Sequence, residues 1–404
     1  MEPASVARFR EYLKIQTVHP TPEYEKCAEF LVNQAKEIGL GFQVVEPVKG
    51  KPVVIMKLEG TDPSLPTILL NSHIDVVPVF REKWDYDPFA ATRIPVDGGK
   101  DFRIYARGSN DMKVQGSLYL EAFREIKASG KKFPRTVYAS FVPDEEILSV
   151  GGMDPFSKTQ EFKDLNVGFG IDEGSVSTND YTYIFPSERA TVPVVYTAHG
   201  NTGHGSQFIQ GTAMEKLLPV INELLKLRES EKARLETLNG SLETTLGLVT
   251  TVNLTILEGG KQANVVPESF SATFDIRYPP NKDLHAFYKY LEDLGAKNGC
   301  EVDILYREDK NISKPVTDDN EFLKACVSTC IETGRKPIVT TITGCTDARW
   351  LRMKGIQSVG LGAIHNHESR PHGDNEYMSE SNFIDGIPFY TMLIERLASV
   401  PDTN

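Results

Sequence analysis

Apolar runs broken by Pro, Gly and acidic residues alternate with amphipathic stretches through the first half of the chain. "PEYEKCAEFLVNQAKEIGLG" reads as a helix stopped by Gly39, whereas "PVVIMKLEG", "PTILLNSH", "RTVYASFVPDEE" and "NVGFGIDEG" are apolar runs of strand length. Strands alternating with helices predict an α/β sheet covered by helices. From Thr191 the order changes: strand "TVPVVYTAHG", helix "AMEKLLPVINELLKLRESEKARLE", strands "LVTTVNLTILEGG" and "SFSATFDIRYP", helix "DLHAFYKYLEDLGAKNG", strand "EVDILYRE". This βαββαβ order is the split βαβ arrangement, a compact unit by itself. Afterwards "NEFLKACVSTCIETG" predicts a helix, "IQSVGLGA" a short buried strand and "NFIDGIPFYTMLIERLASV" a last helix. The expected architecture is α/β: residues 1–189 and 313–404 form one domain with helices on a mostly parallel sheet, and residues 190–312 an inserted α+β domain.

Composition narrows the function. A length of 404 residues is too great for one small core, and a formal net charge of -12 without any compensating Lys/Arg block excludes a nucleic-acid or membrane-surface footprint. The N-terminal "MEPASVARFREYLKIQT" lacks an apolar signal core, and no uncharged run approaches the ~20 residues of a membrane span, so a cytoplasmic protein is expected. Cys27, Cys300, Cys326, Cys330 and Cys345 are odd in number and without CxxC spacing, which fits reduced packing thiols rather than disulfides or a thiolate zinc site. The sequons at Asn239, Asn253 and Asn311 carry no weight without a secretory signal.

The chemistry starts from "ASFVPDEEILSV", where Asp144, Glu145 and Glu146 crowd the end of an apolar run. An isolated acidic triplet is usually a solvated turn, but here other candidates stand beyond strand ends: His73 and Asp75 in "LLNSHIDVVP", Asp172 and Glu173 in "GIDEG". Asp111 stands in the Gly-containing "ARGSNDMK". Ligand crevices of open α/β sheets lie at the carboxyl ends of the strands, so these groups are expected on one edge. Imidazole with carboxylates and no thiolate is the ligand set of a hydrolytic metal site. His365, His367 and His372 in "AIHNHESRPHGDNEY" are the candidates for a further imidazole. A catalytic pair of ions ~3.5–4 Å apart shares a carboxylate, for which Asp111 is the candidate. His73 and Glu173 would complete one ion, Glu146 and His372 the other. Glu145 could then serve as general base toward the water held between the cations, and Asp75 could accept the other N–H of His73.

"NSHIDVVP", "YARGSNDMK", "FVPDEE", "DEG", "GHGS", "EGGKQANVVP" and "FDIR" occur here in the order, and roughly at the distances, of the di-zinc aminoacylase, carboxypeptidase and deacetylase family, which the chain resembles from first helix to last. Among the branches, that of the N-acyl-L-amino-acid aminoacylases is the most similar. The resemblance implies two Zn²⁺ per subunit on His73, Asp111, Glu146, Glu173 and His372, with Asp111 bridging, Glu145 as general base and Asp75 orienting His73. His372 is chosen because an acid follows it four residues on in "HGDNEY". The resemblance further implies a homodimer made through the inserted domain, with His204 reaching the partner subunit's site to polarise the scissile carbonyl. Arg277, Asn264 and Arg349 match substrate-binding positions, where a guanidinium fork and an amide suit a free carboxylate. One departure is "EEILSVGGM": the family pattern has two glycines sooner after the paired glutamates, and here Gly151 and Gly152 come later.

The expected activity is hydrolysis of small anionic N-acyl-L-amino acids to a carboxylate and a free amino acid. A dipeptidase or carboxypeptidase would use the same metals and differ in the acyl pocket, whose lining the sequence does not show. A non-catalytic dimeric scaffold need not keep Glu145 and all five ligands, and a nucleotide enzyme would need a phosphate motif that the glycine pairs at Gly151 and Gly259 do not open.

Overall fold

The computed structural model describes residues 2–308 and 316–402; Asn311 and the expected boundary between 312 and 313 lie outside the described residues. The chain divides into two compact units. The first takes the described residues up to Pro186, Val316–Val339 and Thr346 onward; the second runs from Ser187 and includes Thr340–Cys345, which the sequence reading left with the first domain.

The first unit is built on an eight-stranded sheet in the order Gly41–Val48, Lys51–Leu58, Val137–Val142, Thr67–His73, Val167–Asp172, Gln357–Leu361, Tyr181–Glu188, Lys336–Ile342, the last two strands of which end two and three residues past the unit boundaries at Pro186 and Val339. Its four middle strands, Val137–Val142 to Gln357–Leu361, are mutually parallel, and antiparallel strands flank them. The apolar runs predict these four and Lys51–Leu58; Gly41–Val48 and Lys336–Ile342 are largely exposed or half-exposed and give no apolar run, and Tyr181–Glu188 is buried but has its apolar residues interrupted by Thr182, Pro186 and Ser187. Every residue of Thr67–His73 is buried, the mark of a parallel strand covered on both faces. Register brings the carboxyl ends together: His73 lies beside Val142, and Leu70 beside Ile171 one residue before Asp172.

Helix Lys113–Ser129 packs against Thr67–His73 at Gly116, where a Cβ would come within 2.8 Å of Ser72 Oγ and 2.9 Å of Phe141 Cε1. Ala4–Leu13 and Glu380–Ser399 pack against it and against each other, with Phe9 stacked on Phe383 at 4.5 Å between ring centres. Helix Glu321–Glu332 starts on an Asn320 cap and stacks Phe322 on Phe169 at 4.7 Å. A small antiparallel sheet of Thr92–Val96, Asp101–Tyr105 and Tyr377–Ser379 pairs Tyr105 with Tyr377. That pairing brings the chain after Tyr105 to the chain before Tyr377.

In the second unit an antiparallel sheet runs in the order Thr251–Gly259, Ser269–Tyr278, Ala190–His199, Cys300–Ile304. From Ala272 to Tyr278 buried and half-buried residues alternate, so one face is covered and the other only partly. Helices Ala213–Glu236, opened by a Thr212/Glu215 capping box, and Leu284–Asn298, capped by Asp283, pack on the sheet. The core holds Val192, Val194, Tyr196, Leu217, Leu224, Phe274 and Leu291. Thr340–Cys345 is held here because Arg189 donates to the Thr343 and Val249 carbonyls and Thr340 Oγ1 to the Thr244 carbonyl. Among the described residues no helix is long and apolar enough to cross a membrane.

Candidate active site

Three adjacent parallel strands deliver the site. His73 ends Thr67–His73, the turn Asp144–Glu146 follows Val137–Val142, and Glu173 follows Val167–Asp172. Asp111 comes from the loop just before helix Lys113–Ser129, and His372 from the segment before Tyr377–Ser379. Asp111 Oδ1 lies 3.0 Å from His73 Nε2 and Asp111 Oδ2 3.1 Å from His372 Nε2. His372 Nε2 is also 3.1 Å from Glu146 Oε2, and His73 Nε2 3.9 Å from Glu173 Oε2. The ligand-type atoms thus form two groups, His73–Asp111–Glu173 and Asp111–Glu146–His372, joined by one carboxylate.

This donor set fits metal ions. Glu146 Oε1 is buried without a hydrogen-bond partner, an arrangement that costs about 1–3 kcal/mol unless a cation or water answers it. His73 Nδ1 sits 3.0 Å from the Asp75 carbonyl, which only accepts, so Nδ1 carries a proton, and it is Nε2 that would give up its own proton to offer a lone pair to a metal ion. The Asp75 carboxylate is farther from that nitrogen, at 3.5 Å.

The electrostatics of the bare cluster are those of crowded acids. Burial pushes the Glu145 carboxyl well above the usual range, with Asp347, Glu146 and Asp111 adding to the rise and His73 opposing it. Burial likewise raises Glu146, and burial with Asp111 raises Glu173. Asp111 goes the other way: burial would raise it, but hydrogen bonds from His372 and His73 hold it well below the usual range. His372, hydrogen-bonded to Asp111 and Glu146, is pushed up to about 10.

Sequence reasoning places Asp75 behind His73 but misses its other partners and the remaining supports behind the ligands. Asp75 is fully buried and takes the amides of Glu145 and Glu146 on its two oxygens, both at 3.1 Å, with His19 Nε2 at 2.9 Å. Asp144 is held by Tyr24 Oη at 2.6 Å and Lys51 Nζ at 2.8 Å. Beneath the strand ends, Asn71 Nδ2 donates to Asp172 and Asp347, and Ser149 Oγ to Asp347. Burial beside Asp172 pushes the Asp347 carboxyl up to about 7. Arg107 stood inside "YARGSNDMK" and Glu376 was the acid after His372, yet their pairing has no local signal.

The departure after the glutamates resolves into backbone geometry. Leu148 and Ser149 both adopt left-handed conformations, with φ of 66° and 56°, which glycine adopts freely and other residues adopt with strain. Ser149 turns inward and is buried, while Ile147, Leu148 and Val150 stay exposed.

The remaining expected residues fall in several places. In the second unit, Gly203–His204 pairs with Val265–Val266 and the Gly205 amide donates to the Asn264 carbonyl, so His204 and Asn264 lie together. His204 is exposed, with Nδ1 2.7 Å from Ser206 Oγ. Arg277 spends its fork on Asp275 at 2.8 and 3.0 Å and puts Nη1 on Thr191. In the first unit, Arg349 is buried in the helix Ala348–Met353 with Nε on the Thr346 carbonyl. His367 is buried and bonded to Ser379 N and the Glu368 carbonyl, and His365 faces Asp385 at 3.7 Å, so neither joins the two ligand groups.

Residues 69–396 match the model of peptidase family M20/M25/M40. The chain is 42% identical to aminoacylase-1 of Sus scrofa over 403 residues, covering 99% of this chain and 97% of the relative. It is 38% identical to aminoacylase-1 of Dictyostelium discoideum, with 98% of each chain covered. Among solved structures it superposes on an M20 metallo-carboxypeptidase from Sulfolobus solfataricus with a TM-score of 0.74 at 21% identity, over 98% of this chain and 99% of that one. A dinuclear metal-binding M20 peptidase of Bacillus subtilis gives a TM-score of 0.69 at 16% identity, with 98% of each chain covered. At such identities the structural likeness speaks for the fold alone.

Proposed function

The chain belongs to peptidase family M20/M25/M40, and from that premise we propose that it is a two-zinc amidohydrolase releasing free L-amino acids from N-acyl-L-amino acids. The observation that carries this reading is the Asp111 carboxylate, whose two oxygens face His73 at 3.0 Å and His372 at 3.1 Å. Full-length identity to the aminoacylase-1 relatives supports the substrate class.

His73, Asp111 and Glu173 would hold one zinc ion, and Asp111, Glu146 and His372 the other. When bound, the ions supply Lewis-acid polarisation of the amide carbonyl and lower the pKa of water to as little as ~7. Glu145 takes the proton of the attacking water and hands it to the leaving nitrogen, so the bond from acyl carbon to nitrogen breaks as the carbon–oxygen bond forms. Asp75 holds the two glutamates in place by accepting both their amides. Arg277, Asn264 and Arg349 are assigned to the substrate carboxylate on their match to family motifs. His204 is assigned to the partner subunit's site in a homodimer formed through the second unit, and its exposure is compatible with that task.

The test is zinc-dependent hydrolysis of N-acetyl-L-methionine against alanyl-alanine, on chelator-stripped and zinc-restored protein. Zinc-restored release of methionine is expected, with little dipeptide cleavage. Dipeptide cleavage alone overturns the substrate, and inactivity on both with two zinc ions bound overturns the enzyme. Glu145→Gln should lose at least ~10²–10⁴ in kcat while binding zinc as before. Equal mixtures of His204→Ala and Glu145→Ala subunits should regain part of the activity, and no recovery would sink the trans assignment.

A further inference from the structure

The segment before the first long helix of the sequence reading reaches the back of the site. Thr17 Oγ1 donates to the Ile74 carbonyl at 2.5 Å, the Val76 amide to the Thr17 carbonyl at 3.0 Å, and the His19 amide to the Val76 carbonyl at 3.3 Å. Thr17–His19 therefore runs beside Ile74–Val76, with Val18 bridged in parallel to Val76. This docking sets the imidazole of His19, almost fully covered, against Asp75 Oδ2 at 2.9 Å.

Asp75 governs more than one neighbour. Its Oδ1 takes the Glu145 amide and lies 3.5 Å from His73 Nδ1, while its Oδ2 takes the Glu146 amide. Both oxygens already accept from main-chain N–H groups that cannot reverse their polarity, so the ring nitrogen on Oδ2 is the donor. A rotation of this carboxylate would shift the turn carrying Glu145 and Glu146 and the acceptor beside His73 at once.

We propose that His19 is a positioning residue for the metal site: its Nε2–H fixes the Asp75 carboxylate, and through it His73 and the Glu145–Glu146 turn. The inference rests on the reading of His73 and Glu146 as zinc ligands. The other charged groups facing His19 are Asp144, 4.0 Å from Nε2, and Lys51, which is paired with Asp144. Neither is the donor on Asp75, because a carboxylate only accepts and the Lys51 ammonium donates to Asp144 Oδ1. A group bonded directly to a ligand typically changes metal affinity by about 10–100-fold, and His19, one hydrogen bond farther back behind Asp75, is expected at the lower end, about 10-fold.

The experiment compares zinc binding by wild type, His19→Gln, His19→Leu and His19→Ala, titrating stripped, folded protein against a competing chromophoric chelator, with kcat and KM for N-acetyl-L-methionine alongside. His19→Leu, or His19→Ala where the leucine variant does not fold, should bind zinc about 10-fold more weakly and lose kcat with KM little changed. His19→Gln, whose amide keeps an N–H donor, should recover most of both. Wild-type affinity in the donorless variants overturns the proposal, and so does equal weakening in the glutamine and leucine variants, which would make the residue a packing element. Absence of zinc binding by the wild-type chain would overturn the ligand reading itself, a failure visible before any variant is measured.

Discussion

Arg107 and Glu376 meet as a buried ion pair at 2.7 Å and bind the Asp111 loop to the segment carrying His372. Glu376 accepts the amides of Gly108, Asn110 and Asp111, and Arg107 donates to the carbonyls of Gly373 and His372. Glu376→Gln would leave a buried guanidinium without its counter-charge, a loss of about 3–5 kcal/mol in similar pairs. The variant should unfold at lower denaturant and hold the ion between Asp111 and His372 less tightly. Denaturant melts and zinc titrations check this, and wild-type values in both would show that the pair does not organise the site.

Zinc binding should expel protons. With His372 pushed up to about 10 by its hydrogen bonds to Asp111 and Glu146, the free protein carries a proton there at neutral pH that a bound cation must displace. Affinity should therefore climb with pH by about one log unit per pH unit for each proton released, until the His372 value is passed. Calorimetry in two buffers of different ionisation enthalpy at pH 7.5 should find at least one proton released per chain. A titration independent of buffer would contradict the arrangement.

Leu148 is strained for no packing return. A left-handed non-glycine residue costs about 1–2 kcal/mol, whereas glycine costs about 0.5–1 kcal/mol in added chain entropy. Because Leu148 is 47% exposed, little burial is lost on removing its side chain. Leu148→Gly should be neutral or stabilising by up to about 1 kcal/mol, and Val150→Gly, outside the positive-φ residues, should destabilise. Denaturation curves of the two variants distinguish these outcomes.

Glu231 supplies a pH signature for the second unit. It receives the Thr250 amide, Arg234 and Lys282, and these partners outweigh burial to hold its carboxyl down at about 2. A depressed folded value means stability that is fully present above the unfolded value of about 4.3 and is lost as pH falls toward the folded one. Glu231→Gln should be clearly less stable than wild type at pH 7, and the gap should narrow between pH 4 and pH 3. A gap that does not change with pH would show that the charge contributes nothing.

The sequence by itself determined the pieces whose signals are local. The four parallel strands could be read from apolar runs because both faces are buried, and the acids and His73 could be read because they stand at the ends of those runs. Motif order along the whole chain carried the family and the substrate class. Tertiary structure alone decided which distant groups meet. Arg107 finds Glu376 because a small sheet pairs Tyr105 with Tyr377, and His19 finds Asp75 because Thr17–His19 lies along Ile74–Val76. Thr340–Cys345 joins the second unit through hydrogen bonds to Arg189 and Thr244 that no periodicity announces. Periodicity reports which face a residue turns to the core within one element, while the donors that hold a ligand are chosen by proximity across many elements, and proximity is what folding creates.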